Sequence, residues 1–272
     1  MDFRIRLAIC AAGMLALASC SMTPTTPDER TPVLKYKTGG VIAVAIVDNR
    51  PYVTNGSKDD NFEGIGRTGY GIPTDFVKQR DDSKTTYVAR VSDVVVRALE
   101  KSGSHVTSVS VPKGSYPKDA IAILHAASAS PGLIVNVLDS RIDAGGFRWS
   151  YFFNYQLIVV DSNGVVISDK SFSGEDVDFQ RDIFHAASAA GKTYSFPSIL
   201  DMEYKNKFSE FLGEPDTSSA LTGSPTHIVS DSANHVVGTG VNRLAALKSM
   251  LDQGLITNDD YEKKKAEILQ SL

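Results

Sequence analysis

The stretch FRWSYFFNYQLIVVDSNGVVISDKSF, Phe147 to Phe172, decides the fold class. In its first half Phe147, Trp149, Tyr151, Phe153, Tyr155, Leu157 and Val159 alternate with Arg148, Ser150, Phe152, Asn154 and Gln156. Side chains leave an extended chain on opposite sides in turn, so the pattern predicts a strand with one face in the core and the other wet at its start. Asp161-Ser162-Asn163-Gly164 supplies Asn and Gly, which tolerate positive φ. Val165 to Phe172 then reads as the returning strand of an antiparallel hairpin.

The hairpin comes late in a chain that mixes helices with strands. Val41 to Val47 is apolar at every position, as expected of an inner strand covered from both sides, and Asp48-Asn49-Arg50-Pro51 stops it. The polar, Gly-rich stretch that follows, to about Ser83, predicts a long loop. Tyr87, Val91, Val95, Ala98 and Leu99 recur at three and four and predict a helix ending at Gly103. His105 to Val111 reads as a strand. Pro117 opens a helix that runs to Ala129, and Leu133 to Leu138 returns to strand. Leu200, Tyr204, Phe208, Phe211 and Leu212 mark a further helix closing at Gly213. The expected fold is α+β, a mixed or antiparallel sheet packed by helices over residues 40–213.

The ends differ in kind from this domain. Arg4 and Arg6 precede an apolar run from Leu7 to Ala18, the charged-then-apolar layout of an export signal, too short to span a bilayer. Leu17-Ala18-Ser19-Cys20 resembles the lipobox of bacterial lipoproteins. The resemblance implies cleavage between Ser19 and Cys20, removal of residues 1–19, and acylation of Cys20 as the membrane anchor. Ser21, in place of Asp, then implies the outer membrane, on its periplasmic face. Residues 20–39 are rich in Pro, Thr and charge and read as a flexible tether. Residues 214–240 read as a second linker for the same compositional reason.

Removal of the signal leaves 26 basic against 31 acidic residues, a balance that argues against a nucleic-acid partner. Cys10 leaves with the signal and Cys20 would carry lipid, so the mature chain has no disulfide. Stability must then come from packing.

In residues 241–272, Leu244, Leu247 and Leu251 form one helix face and Gly254 can end that helix. Thr257 and Asp260 are spaced as a capping box for a second helix, flanked by Ile256 and Tyr261 at the staple positions. With Leu255 and Ile268 these residues make an apolar interaction face on a hairpin too small to hold a core alone. Leu247 to Thr257 followed by Tyr261-Glu262-Lys263-Lys264-Lys265 resembles the short C-terminal domain (SHOCT) family, which implies docking or oligomerisation with itself or with envelope proteins, not catalysis.

Candidate chemistry is sparse. Gly64-Ile65-Gly66-Arg67-Thr68-Gly69 matches a dinucleotide fingerprint in letters, but that motif needs a tight turn directly between strand and helix. A nucleotide-using enzyme with its site in loop 55–82 is the alternative this motif leaves open. Asp48 with Arg50 or Arg67 can form a pair that pins the loop to the strand end. Asp48-Asn49-Arg50, then Ile65-Gly66-Arg67 and a second glycine cluster, resemble the YajG-like family of bacterial lipoproteins over roughly residues 41–111. That resemblance implies fold and address, with no activity to carry over. His105, His125, His185, His227 and His235 show no metal-ligand spacing, and no cofactor is expected. The aromatic ladder Phe147 to Tyr155 is expected to be a sheet face under helices, the alternative being a platform for an apolar ligand.

Overall fold

Val41–Asp48 (β1) is buried on both faces because it lies inside a sheet that carries helices on either side. The computed structural model describes residues 24–67, 72–77, 85–145, 148–223, 244, 247–248, 251 and 257–270. After β1 come the helical turn Pro51–Thr54 (α1), strands Phe62–Arg67 (β2) and Pro73–Val77 (β3), and helix Tyr87–Ser102 (α2). Strand His105–Val109 (β4), helix Pro117–Ala127 (α3), and strands Gly132–Gly145 (β5), Arg148–Val160 (β6) and Val166–Val177 (β7) follow. Helices Phe179–Ala189 (α4), Phe196–Gly213 (α5), Pro215–Thr222 (α6) and Asn258–Gln270 (α7) come last. The architecture is α+β, a curled mixed sheet with helices.

The spine of the sheet is β5. One edge takes β1 in parallel from Gly132 to Val137 and then β2 in parallel from Ile142 to Gly145. The other edge takes β6 antiparallel along its whole length, and β7 pairs beyond it. β4 lies outside β1, and β3 lies outside β2. The sheet therefore forks at residues 138–141, where β1 has left β5 and β2 has not yet joined. At the same place the β5–β6 register shifts between Val137 and Asp139, and such a bulge sharpens the local twist.

One sheet face carries the main core. Ile42, Val44 and Ile46 of β1, with Leu133, Val135, Tyr151, Tyr155 and Leu157, pack under α2, α4 and α5. Helix α2 is held at its start by Thr86, whose side chain accepts from the Ala89 amide, and ends at Gly103 with φ 111°, a conformation that costs other residues a Cβ clash. On the opposite face the small side chains of Ala43 and Ala45 admit Ala120 and Leu124 of α3.

Three expectations change, and a fourth is extended. The predicted long loop contains β2 and β3: Gly64 to Arg67 pair with Ile142 to Gly145 through a backbone ladder, and the two glycines leave no apolar alternation to read. The second face of β6 is open at its start, as expected, and closes further along, where Asn154 and Gln156 are buried. Gln156 belongs to a chain of amides, Asn49 to Asn136 at 2.7 Å, Asn136 to Gln156 at 3.0 Å, and Gln156 to Asp169 at 2.9 Å. The linker begins with α6, whose Ala220 and Leu221 are buried in the main core. The tether is strapped to α5 from Thr25 onward, as described below. Phe147, Thr68, Gly69 and residues 224–240 lie outside the described residues, as do the signal segment and Cys20.

Candidate functional site

Asp48 ends β1 and meets Arg50 two residues on. The guanidinium bonds both carboxylate oxygens, Nε to Oδ1 at 2.9 Å and Nη2 to Oδ2 at 2.8 Å, and its Nη1 donates to the Phe62 carbonyl at 2.7 Å. Arg50 is fully buried. A bidentate fork of this kind is short-range and directional, so it pins the first residue of β2 to the last of β1 across the gap in the sheet. Arg67 is not its partner: it forms an exposed fork with Asp143 on β5. Gly64 and Gly66 sit inside β2 rather than in a turn before a helix. A Cβ on Gly64 would stand 2.1 Å from the Ile142 carbonyl oxygen, whereas Gly66 has nothing nearer than 3.7 Å. Gly64 thus serves close approach of two strands.

The fork of the sheet is filled by polar side chains from distant segments. Tyr52 donates to Asp139 at 3.1 Å or the Ser140 carbonyl at 3.0 Å, and Tyr87 donates to Ser140 Oγ at 2.5 Å. Tyr151 and Tyr155 reach the same Ser140 hydroxyl. Arg50 lies over the Tyr87 ring, 4.1 Å from its centroid. Asp139 is paired with Arg141, so an Asp-x-Arg step occurs twice, once at each side of the gap. Burial pushes the Tyr52, Tyr87 and Tyr151 hydroxyls well above their ordinary value and the Tyr155 hydroxyl up to about 12. They are therefore neutral donors, and their hydrogen bonds fill the fork. Burial likewise raises Asp139, with Arg141 and Tyr52 opposing the shift. Reading the sequence missed Tyr52 and Ser140, and took Tyr87 only as part of an apolar helix face. The available signal was Asp139-Ser140-Arg141, a polar step inside an otherwise apolar strand.

The outer side of this fork is apolar and is covered. Tyr52 and Val53 of α1 and Phe62 of β2 form one buried cluster with Leu247 and Ile268. Ile65, Leu244, Leu251 and Tyr261 pack around it. The Tyr52 and Phe62 rings meet edge to face at 5.2 Å. The structure thus brings together five members of the predicted C-terminal interaction face; Leu255 and Ile256 lie outside the described residues. Helix α7 is started as expected: Asp260 N donates to Thr257 Oγ1 at 3.2 Å and Thr257 N to Asp260 Oδ2 at 3.2 Å. The Thr257 hydroxyl, which donates to Asp260 Oδ2 at 2.7 Å, and then the Thr257 amide hold the Asp260 carboxyl below its usual range. Between α1 and α7 runs a seam of about 240 Å³, lined by Thr54, Asn55, Asp260, Lys263 and Lys264 among others. Its polar walls mark an apposition that the apolar cluster, and not the rim, holds together.

The aromatic ladder of β6 lies under α4 and α5. Trp149 meets Phe196 at 4.5 Å, Tyr151 meets Tyr204 at 5.8 Å, and Tyr155 meets Phe208 at 5.4 Å and Phe211 at 5.5 Å. Tyr151 and Tyr155 are fully buried by these contacts.

Residues 242–269 match the family model of the short C-terminal domain, SHOCT. The chain therefore carries a C-terminal SHOCT domain, and the apolar cluster on α1 and β2 is where that domain sits in this structure. No curated protein matches the chain.

Proposed function

We propose that this chain is a lipid-anchored protein of the bacterial envelope, with a YajG-like domain and a scaffolding or assembly role, and that its SHOCT domain makes the assembly contact. The Leu17-Ala18-Ser19-Cys20 resemblance supports the anchor and the outer-membrane address. The single observation that carries the assembly role is the fit between the SHOCT face and the patch of Tyr52, Val53 and Phe62. Twenty-one residues, 223–243, join α6 to Leu244. At full extension that length reaches roughly 70 Å. A connection of that length is long enough for the hairpin to fill the same patch on a second copy with identical contacts, so exchange costs little beyond effective concentration.

The test is the mass of the full-length protein in detergent across a concentration series. Wild type should form assemblies larger than a monomer as concentration rises. Leu247→Asp, which places a charge in the buried cluster, should hold the protein monomeric while leaving the rest folded. Equal monomeric mass for wild type, the Leu247→Asp variant and a chain lacking residues 241–272, with equal pull-down profiles, overturns the reading.

A further inference from the structure

Residues 25–38 do not hang free. Thr25 Oγ1 donates to Asp201 at 3.0 Å, and its amide donates to Ser198 Oγ at 3.3 Å, in the first turns of α5. A small capping turn follows, with Thr26 N donating to Glu29 at 2.8 Å, and Glu29 takes Lys192 as ion partner and the Tyr194 hydroxyl at 3.4 Å. Val33 N donates to Ser209 Oγ at 3.1 Å and Tyr36 OH to the Leu212 carbonyl at 2.8 Å. Thr38 N reaches Ser102 O at 3.1 Å just before β1. The segment therefore runs along α5 from its first turn to its last.

This places the chain's entry at one defined end of the sheet. Phe196 starts α5 on Trp149, Trp149 pairs with Ala144 near the end of β5, and Arg67 of β2 pairs with Gly145. The β6–β7 turn at Ser162 lies at the other end of β6, about 40 Å away along a strand of thirteen residues.

We infer that residues 25–38 act as a strap that presents one side of the domain, the Lys192–Asp201 segment together with the β2 end of the sheet, to a phospholipid headgroup surface. The inference rests on acylation of Cys20. Only five residue steps separate Cys20 from Thr25, a reach of about 17 Å at most. A free tether of residues 20–39 would reach roughly 65 Å and fix no orientation. With the strap in place the Thr25 end stays within reach of the bilayer, and the Ser162 end stands clear of it.

The experiment uses the full-length lipidated protein in phospholipid vesicles carrying a headgroup-linked quencher. The mature chain has no cysteine other than Cys20, so single fluorophores attach cleanly at Thr193→Cys or Ser162→Cys, both exposed positions. Quenching should be strong at position 193 and lost at position 162. A triple variant, Thr25→Val, Glu29→Ala and Tyr36→Phe, should shrink that difference while circular dichroism shows the domain still folded. Equal quenching at both positions in the wild type, or the reverse order, overturns the orientation. So does a difference that the triple variant leaves intact. The acyl mass on Cys20 is measured first: its absence overturns the anchor itself, which separates failure of the address from failure of the orientation.

Discussion

Arg50 is a guanidinium with no exposed surface, held by one carboxylate and one carbonyl. Removing one partner of a buried pair leaves the other charge uncompensated, so Arg50→Met should cost about 3–5 kcal/mol in urea unfolding. Adding Asp48→Asn to that variant should recover part of the loss, because it deletes the stranded charge. Gly64 and Gly66 give a sharper contrast. A methyl on Gly64 enters the Ile142 backbone, an overpacking that should cost about 1–3 kcal/mol, while Gly66→Ala should stay within about 0.5 kcal/mol of wild type. Equal tolerance at both positions would remove close strand approach as the reason for Gly64. At this scale the pair Asp48–Arg50 was legible, since two charges directly after an apolar run must find a partner. The convergence of Tyr52, Tyr87, Tyr151 and Tyr155 on Ser140 was not, because four separated segments meet only through the fork in the sheet.

Elements that bury a regular face were readable, and those held by backbone pairing or small residues were not. β6, α2 and the Asn-Gly turn carry periodic apolar positions or turn residues. The strands β2 and β3 contain Gly, Pro, Thr and charge, and they are strands only because β5 extends past β1 and offers an edge. Helix α6 lies in Ser- and Thr-rich sequence and gains its stability from Ala220 and Leu221 against the main core. The C-terminal hairpin sits between these cases: the capping box of α7 was legible from Thr257 and Asp260, and its docking site was not. Thr257→Ala removes the cap and should destabilise α7 by about 1 kcal/mol. Amide exchange should then quicken in residues 258–270 and leave β5 protected. Exchange that quickens equally in both would mean that α7 and the sheet unfold as one unit, against a separately releasable domain.

For the whole molecule, two carboxyls that the sequence pattern left silent set opposite limbs of the pH dependence. Glu203 on α5 is 4% exposed; burial, with help from Asp176, pushes its carboxyl up to about 8 from an ordinary 4.5. Lys207 and Glu210 also face it, and Lys207 is itself bonded to Asp176 at 2.6 Å. A carboxyl raised on folding favours the folded state while protonated, so its contribution is whole below pH 4.5 and is lost as pH rises through about 8. Glu29 in the strap is shifted the other way, to about 2, by its bond from Lys192 and then by Thr26. Its contribution is present above pH 4.5 and is lost as pH falls toward about 2. Thermal melts from pH 2 to 9 should therefore separate the two groups. Glu203→Gln, which keeps shape and drops the charge, should raise Tm over wild type at pH 9, with the gain vanishing by pH 4.5. Glu29→Ala should lower Tm at pH 6, with the loss vanishing near pH 2. A Glu203→Gln gain that is constant across pH would show that the side chain is unfavourable there for packing and not for charge. A pH-independent Glu29→Ala loss would mean that Glu29 holds the strap through bonds that survive its protonation, such as the one from Thr26 N, and not through its charge.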